Sequence, residues 1–153
     1  MNTSQLMIMA RRLVRTPSFL TPDEKKVFPG FHYWDYDPEY ATTEFIHDVK
    51  KEPTGRENGE GILAFKLKDR FYEFKTLVFD DGQGSMINIA FRAPGDGSYP
   101  GGRYFNITED QKVLDFNASS LLLCAHSPRY TCTIPENVFD IPIPAGEKYV
   151  NHE

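Results

Sequence analysis

A chain of 153 residues fits one domain and is long enough to bury about 70% of its unfolded surface without needing staples. Residues 1–22 hold three of the 17 basic residues and none of the 22 acidic ones, so the remainder carries 14 against 22, a net charge of −8. Such an acidic body argues against nucleic-acid binding, and the apolar runs fall far short of the roughly 20 residues that span a bilayer.

The stretch SQLMIMARRLVR, residues 4–15, predicts a helix, with Ser4 as its N-cap and Pro17 as its stop. Leu6, Met9, Ala10, Leu13 and Val14 fall on one stripe with the arginines beside it. Two readings stand for this segment. It has the arginine-bearing, acid-free, amphipathic character of an uncleaved mitochondrial targeting segment, or it docks by its apolar face. No secretory signal is visible, so the sequons at Asn2, Asn106 and Asn117 are expected to be coincidental. Residues 1–20 form this helical head and residues 21–153 a β-rich domain.

TPDEKKVF predicts a short helical turn capped by Thr21, with Pro22 in the first position. After the aromatic stretch PGFHYWDYDPEY the period changes to two. TTEFIHDVK, GILAFKLK, RFYEFKTLVF and MINIAFR alternate; Leu63, Phe65 and Leu67 share one face, and Ile87, Ile89 and Phe91 another. Further strands are expected at RYFNI, KVLDF, LLLCAH and IPIP. KKEPTGRENGEG reads as a loop; Asp81-Gly82 and Gly95-Asp96-Gly97 read as turns. With 14% aromatic residues, 11 glycines and 11 prolines, the pattern is mainly β: an antiparallel sandwich or partly open barrel with an N-terminal helix.

Four groups of residues invite a chemical reading. Cys124, His126 and Cys132 offer sulfur and imidazole, but their spacing matches no common zinc motif, and no metal is expected. On a strand, Cys124 and His126 would share a face, as any residues two apart do; no acid to orient them stands out, and no catalytic residue is assigned. The two cysteines, eight residues apart, are near enough to pair across a hairpin, or else stay reduced and buried. In GSYPGGRYFN, the Gly101-Gly102 pair fixes the direction of Arg103, which either grips an anion in a pocket or closes the sheet end on Asp115 or Glu147. The aromatic cluster around Trp34 and Tyr36 reads as a core lid or an interface. The acids Asp80 and Asp81 sit in a turn without a calcium-loop pattern.

Several motifs carry a resemblance. GSYPGGRYF, KVLDFN, CAHSPRYTCTIPEN and IPIPAGEKY stand in the order and approximate spacing of the bacterial family called domain of unknown function 1684, and FPGFHYWDYDPEY is similar to that family's aromatic segment. The resemblance spans roughly residues 10–150 and implies a β-rich fold, with no activity attached. Where that family tends to show Tyr-Asn-Pro, this chain has Ser120, Leu121 and Leu122, and His126 replaces a tyrosine. A polar cluster has become mostly aliphatic.

These residues lead to a non-catalytic accessory or scaffolding subunit of a larger assembly, with a mitochondrial respiratory-type complex as its expected setting and a bacterial-type cytoplasmic location as the alternative. Other protein subunits are the expected partners, with no nucleic acid, no transmembrane segment and no cofactor. Leu6, Met9, Leu13, Trp34 and Tyr36 are the interface candidates. The alternative is a small-molecule binder or enzyme with a pocket around Arg103, Asn117, Cys124 and His126.

Overall fold

The computed structural model describes residues 2–51, 57–80, 82 and 84–150. Helix α1 (Thr3–Val14) is capped two residues earlier than the sequence indicates. Its cap is Asn2, whose side chain accepts from the Gln5 amide at 2.7 Å, because the Ser4 hydroxyl is drawn to Asp115 at 2.6 Å. Helix α2 (Pro22–Val27) follows its expected signals: Thr21 and Glu24 form a reciprocal capping box and Pro22 opens the helix.

Strands β1 (His32–Tyr33) and β2 (Ala41–Thr42) are short. The main sheet begins with β3 (Phe45–Lys51), β4 (Glu57–Leu67) and β5 (Arg70–Asp80), and continues through β6 (Ser85–Phe91) and β7 (Arg103–Thr108). Strand β8 (Leu114–Asp115) pairs with β2, β9 (Ser120–Leu121) adds to β7, and β10 (Glu147–Lys148) pairs with β1. The six-stranded sheet is antiparallel throughout, in the order β3-β4-β5-β6-β7-β9. Among the described residues its edges, β3 and β9, do not pair with each other, so the sheet is open. The β4–β5 hairpin turns on Lys68 and Asp69, both with positive φ (51° and 62°), the backbone that a two-residue hairpin of matching twist requires.

Alternation places Leu63, Phe65, Leu67, Phe74, Ile87, Ile89, Phe91, Phe105 and Ile107 on one buried face. Covering that face are Tyr40, Leu114, Phe116, Phe139, Ile143 and Ala145, which come from short turns and extended chain. Phe116 lies 5.1–5.4 Å from the rings of Phe65, Phe91, Phe105 and Phe139, mostly edge-to-face, the preferred aromatic arrangement.

Several expected strands are shorter or absent. KVLDF contributes only Leu114–Asp115, after which Phe116–Ala118 turn as a 3-10 helix. LLLCAH contributes Leu121 and then a second 3-10 turn, Leu123–Ala125. IPIP is not a strand; β10 follows it. Conversely, the expected loop at 50–61 is strand from Glu57 onward, while residues 52–56 and the turn residue Asp81 lie outside the described residues.

The sheet has a parting. Strands β5 and β6 pair from Asp80↔Ser85 to Leu77↔Asn88 and then separate. Asn137 fills the gap: its amide donates to the Lys75 and Ala90 carbonyls at 2.8 Å each and accepts from the Lys75 amide at 2.9 Å. The Arg92 amide donates to the Asn137 carbonyl and the Phe139 amide to that of Arg92, so residues 137–139 lie along β6 as a parallel bridge.

Candidate functional site

The chemistry-bearing residues gather where α1 meets the covering turns. Glu147, fully buried, accepts from Arg15 Nη1 and the Leu121 amide at 2.8 Å each and bonds His126 Nε2 at 2.8 Å. Burial works to raise its pKa, but the His126 bond and the Arg15 charge outweigh it, and the carboxyl ends below the usual range. Asp115, also buried, accepts from the Ser4 and Tyr36 hydroxyls at 2.6 Å and from the Asn117 amide at 3.0 Å. Burial first, and then that bond to Asp115, pushes the Tyr36 hydroxyl up to about 12. Asn117 ties the aromatic stretch to this cluster: it donates to the Asp37 carbonyl at 2.8 Å and accepts from the Asp37 amide at 3.0 Å.

Helix α1 therefore sits on the body by its polar side. Arg12 donates to the Asn117 carbonyl at 2.9 Å and Arg15 reaches Glu147, while Ile8, one turn before Arg12, is the buried apolar residue of the helix. The apolar stripe faces out: Leu6 is 59% exposed, Leu13 87% and Val14 76%. The expectation that the helix docks by its apolar face is thus reversed. Two buried carboxylates supplied from residues 115 and 147 hold the hydroxyl and guanidinium side, and one helix cannot present both sides to the same surface. Of the interface candidates, Leu6, Met9 and Leu13 stay together on this outer side. Trp34 and Tyr36 lie in packing, Trp34 against Arg103 and the Gly97 turn, Tyr36 on Asp115.

Arg103 binds neither Asp115 nor Glu147. Its Nη1 donates to the carbonyls of Ile143 (2.8 Å) and Ala145 (2.7 Å), and its guanidinium lies 5.0 Å from the Trp34 ring centre and 5.1 Å from that of Phe91. Both carboxylates already have their partners, and residues 143–145 pass directly over β7. Burial lowers the Arg103 pKa to about 10. Gly102 holds the arginine in place: its φ is +97°, and a Cβ there would lie 2.7 Å from the Phe91 carbonyl oxygen.

Cys124 and Cys132 form a disulfide, with Cα atoms 6.0 Å apart. In this state neither sulfur is a thiolate for zinc or for nucleophilic attack. Cys124 and His126 stand on a turn, not a strand, and the His126 ring points away into the rings of Phe19, Phe28 and Phe31, with centres 5.5–5.8 Å off. Asn117, Arg103 and His126 thus serve separate joints: Arg103 ties β7 to residues 143–145, Asn117 ties the turn after β8 to Asp37, and His126 ties the turn after β9 to Glu147. A cleft of about 450 Å³ lies elsewhere, beside the parting, walled by Lys75, Leu77, Asn88, Leu122, Ile134 and Asn137. Of the aliphatic replacements, Leu121 is buried and Leu122 lies on that wall.

Sequence reasoning passed over Asn137 and the arginines of α1. For Arg12 and Arg15 a signal exists: Ser4, Arg12 and Arg15 share the side of α1 opposite the stripe, together with Ile8. For Asn137 there is none, since its partners lie 47 and 62 residues away.

Four solved chains match this one. One is the solution NMR structure of an uncharacterized protein of Haloarcula marismortui, with a TM-score of 0.67 and 24% identity, covering 95% of this chain and 94% of that one. At that identity the likeness shows the fold alone. No curated protein matches the chain. Among the described residues no helix is long and apolar enough to cross a membrane. The model of the family described as "Protein of unknown function (DUF1684)" matches residues 26–148, from α2 through β10 and so including the Arg103, Asp115, Asn137 and Glu147 joints, and the chain belongs to that family.

Proposed function

We propose that the protein is a non-catalytic accessory subunit that docks into a larger assembly through the outward face of α1. The carrying observation is the inverted seating of that helix. Leu6, Met9, Ala10 and Leu13 fall at i, i+3, i+4 and i+7, the spacing by which a helix fills an apolar groove. The helix is fixed from beneath by Arg12, Arg15 and Ser4, so the stripe is presented in one orientation and little ordering entropy remains to be lost on docking.

The occupant is a partner protein with an apolar groove and an acidic rim. α1 has no acidic residue, and Arg11 flanks the stripe. A second copy of this chain fits less well. Twelve residues make a helix of about 18 Å, too short to supply alone the roughly 800 Å² per partner of a standard interface. The motif residues support the same reading, since Arg103, Asp115, Asn117, Cys124, Asn137 and Glu147 all join parts of the fold. The alternative pocket around Arg103, Asn117 and Cys124 has less support, because each of these side chains is engaged within the fold. A mitochondrial respiratory-type complex remains the first setting to examine, given the arginine-bearing, acid-free helix; the disulfide supports an oxidising compartment.

The test is co-migration in native gels of source extract, comparing the unaltered chain with Leu6→Glu/Leu13→Glu. Both side chains are exposed, so the variant keeps its thermal stability. The proposal expects the unaltered chain to run with a large complex and the variant to run alone. A monomer in both cases, or unchanged co-migration of the variant, overturns it.

A further inference from the structure

Beneath α1 lies a second, smaller space of about 90 Å³. Its wall carries Arg11, Arg12, Arg15, Tyr33, Ser119 and Ser120, and no acidic residue. A water needs roughly 10–15 Å³ of such space, so the volume holds several waters, or one anion the size of phosphate or sulfate.

The charges around this space cancel only in part: three arginines stand against two carboxylates, Asp115 and Glu147, both of which also attract Arg12. The two carboxylates lie behind it, and both already accept from other groups. Asp115 accepts from Ser4, Tyr36 and Asn117; Glu147 accepts from Arg15 and Leu121 and bonds His126. Among the described residues Arg12 donates to uncharged acceptors, the Asn117 and Trp34 carbonyls and the Met9 sulfur, and its guanidinium lies over the Tyr33 ring. Among the described residues the ion pairs within 4.0 Å involve Arg15 but neither Arg11 nor Arg12. A guanidinium has five N–H donors in a fixed fork, and the contacts of Arg12 use only part of that set.

We propose that this cavity binds a small oxyanion of the phosphate type, gripped by Arg11 and Arg12, with the Ser120 hydroxyl beside it. The anion supplies the negative charge that the wall lacks and receives charge-assisted hydrogen bonds in forked geometry. The space is too small for a nucleotide. The group is either a free ion or the phosphoryl end of a larger molecule whose remainder lies outside, past the exposed Arg11.

The experiment is a titration of the full chain with sodium phosphate against sodium chloride at matched ionic strength and pH, followed by calorimetry and by thermal unfolding. The expected result is saturable heat and a rise in Tm beyond that in chloride. Arg11→Gln, at an exposed position, keeps its Tm in chloride and binds phosphate at least ten-fold more weakly; Ser120→Ala weakens binding to a smaller degree. A wild-type Tm no higher in phosphate than in chloride overturns the proposal, and so does an Arg11→Gln variant that binds as tightly as the parent. Phosphoserine, run in parallel, fixes the source: tighter binding than phosphate supports a phosphoryl group on a larger molecule, and weaker binding supports the free ion.

Discussion

Arg15 and Glu147 meet at 2.8 Å, joining the residue that ends α1 to a carboxylate with no exposed surface in β10. The pair links positions 132 residues apart, and His126 closes it from the other side. Removing Glu147 leaves Arg15 without its counter-charge and His126 without its carboxylate partner. Breaking a buried pair from one side costs about 3–5 kcal/mol. Glu147→Gln is expected to lower the unfolding free energy by that order in urea denaturation; a loss below about 1 kcal/mol would contradict the central role given to this carboxylate.

The same carboxylate sets an acid limit. The Glu147 pKa lies below its ordinary value of 4.5, and that of Glu24 is held at about 2, chiefly by the Ser127 hydroxyl and the Thr21 amide. A lowered folded-state pKa means that the unfolded chain takes up protons first. The stabilisation is therefore complete above about pH 4.5 and is lost as pH falls below it, for Glu24 through about 2. Unfolding free energy should be flat from pH 7 to 5 and fall below 4.5, and Glu147→Gln should show a shallower fall.

Asn137 closes the parting between β5 and β6 with three hydrogen bonds. Asn137→Ala leaves the Lys75 and Ala90 backbone groups without that partner and should cost about 2–4 kcal/mol, from roughly 1 kcal/mol per bond plus the penalty for unmet groups. Hydrogen exchange at the Lys75 amide is the local readout: it should speed up more than that of amides in the β4–β5 hairpin.

At Gly146, φ is +89° and a Cβ would lie 2.7 Å from the Ser119 carbonyl oxygen. Gly146→Ala should destabilise by at least about 2 kcal/mol, combining backbone strain with overpacking. Gly82, also at positive φ but with open space around it, should cost less when replaced in the same way, and thermal unfolding of the two variants separates strain from crowding.

The Cys124–Cys132 bond closes a short loop, and chain entropy gives about 2.5 kcal/mol for a loop of this length. The double variant Cys124→Ser/Cys132→Ser should lose stability of that order. Unfolding midpoints with and without a thiol reductant should differ in the unaltered chain and coincide in the variant.

The long strands were legible because alternation is local. Leu63, Phe65 and Leu67 announce their face within five residues, and Lys66↔Phe71 follows from the hairpin. The LLLCAH segment was not legible, since a continuous apolar run has no period and fits strand or turn equally. The seating of α1 was misread for a different reason. A stripe of leucine and methionine ordinarily marks the buried side, but here Asp115 and Glu147, more than 100 residues away, capture the polar side. Arg103 was singled out for its direction and assigned the wrong acceptors, because backbone carbonyls leave no mark in a sequence.

The wedge at residues 137–139 has a consequence for the order of assembly. A nascent chain that has released β3 to β7 can zip β5 to β6 only from Asp80↔Ser85 to Leu77↔Asn88, and the rest of that seam stays open until Asn137 and Phe139 leave the ribosome. The N-terminal helix, made first, waits longer still for its anchor at Glu147. Synthesis must run nearly to its end before either fastening closes, so a stop codon upstream of residue 137 should yield a chain that is cleared and not a smaller working fragment.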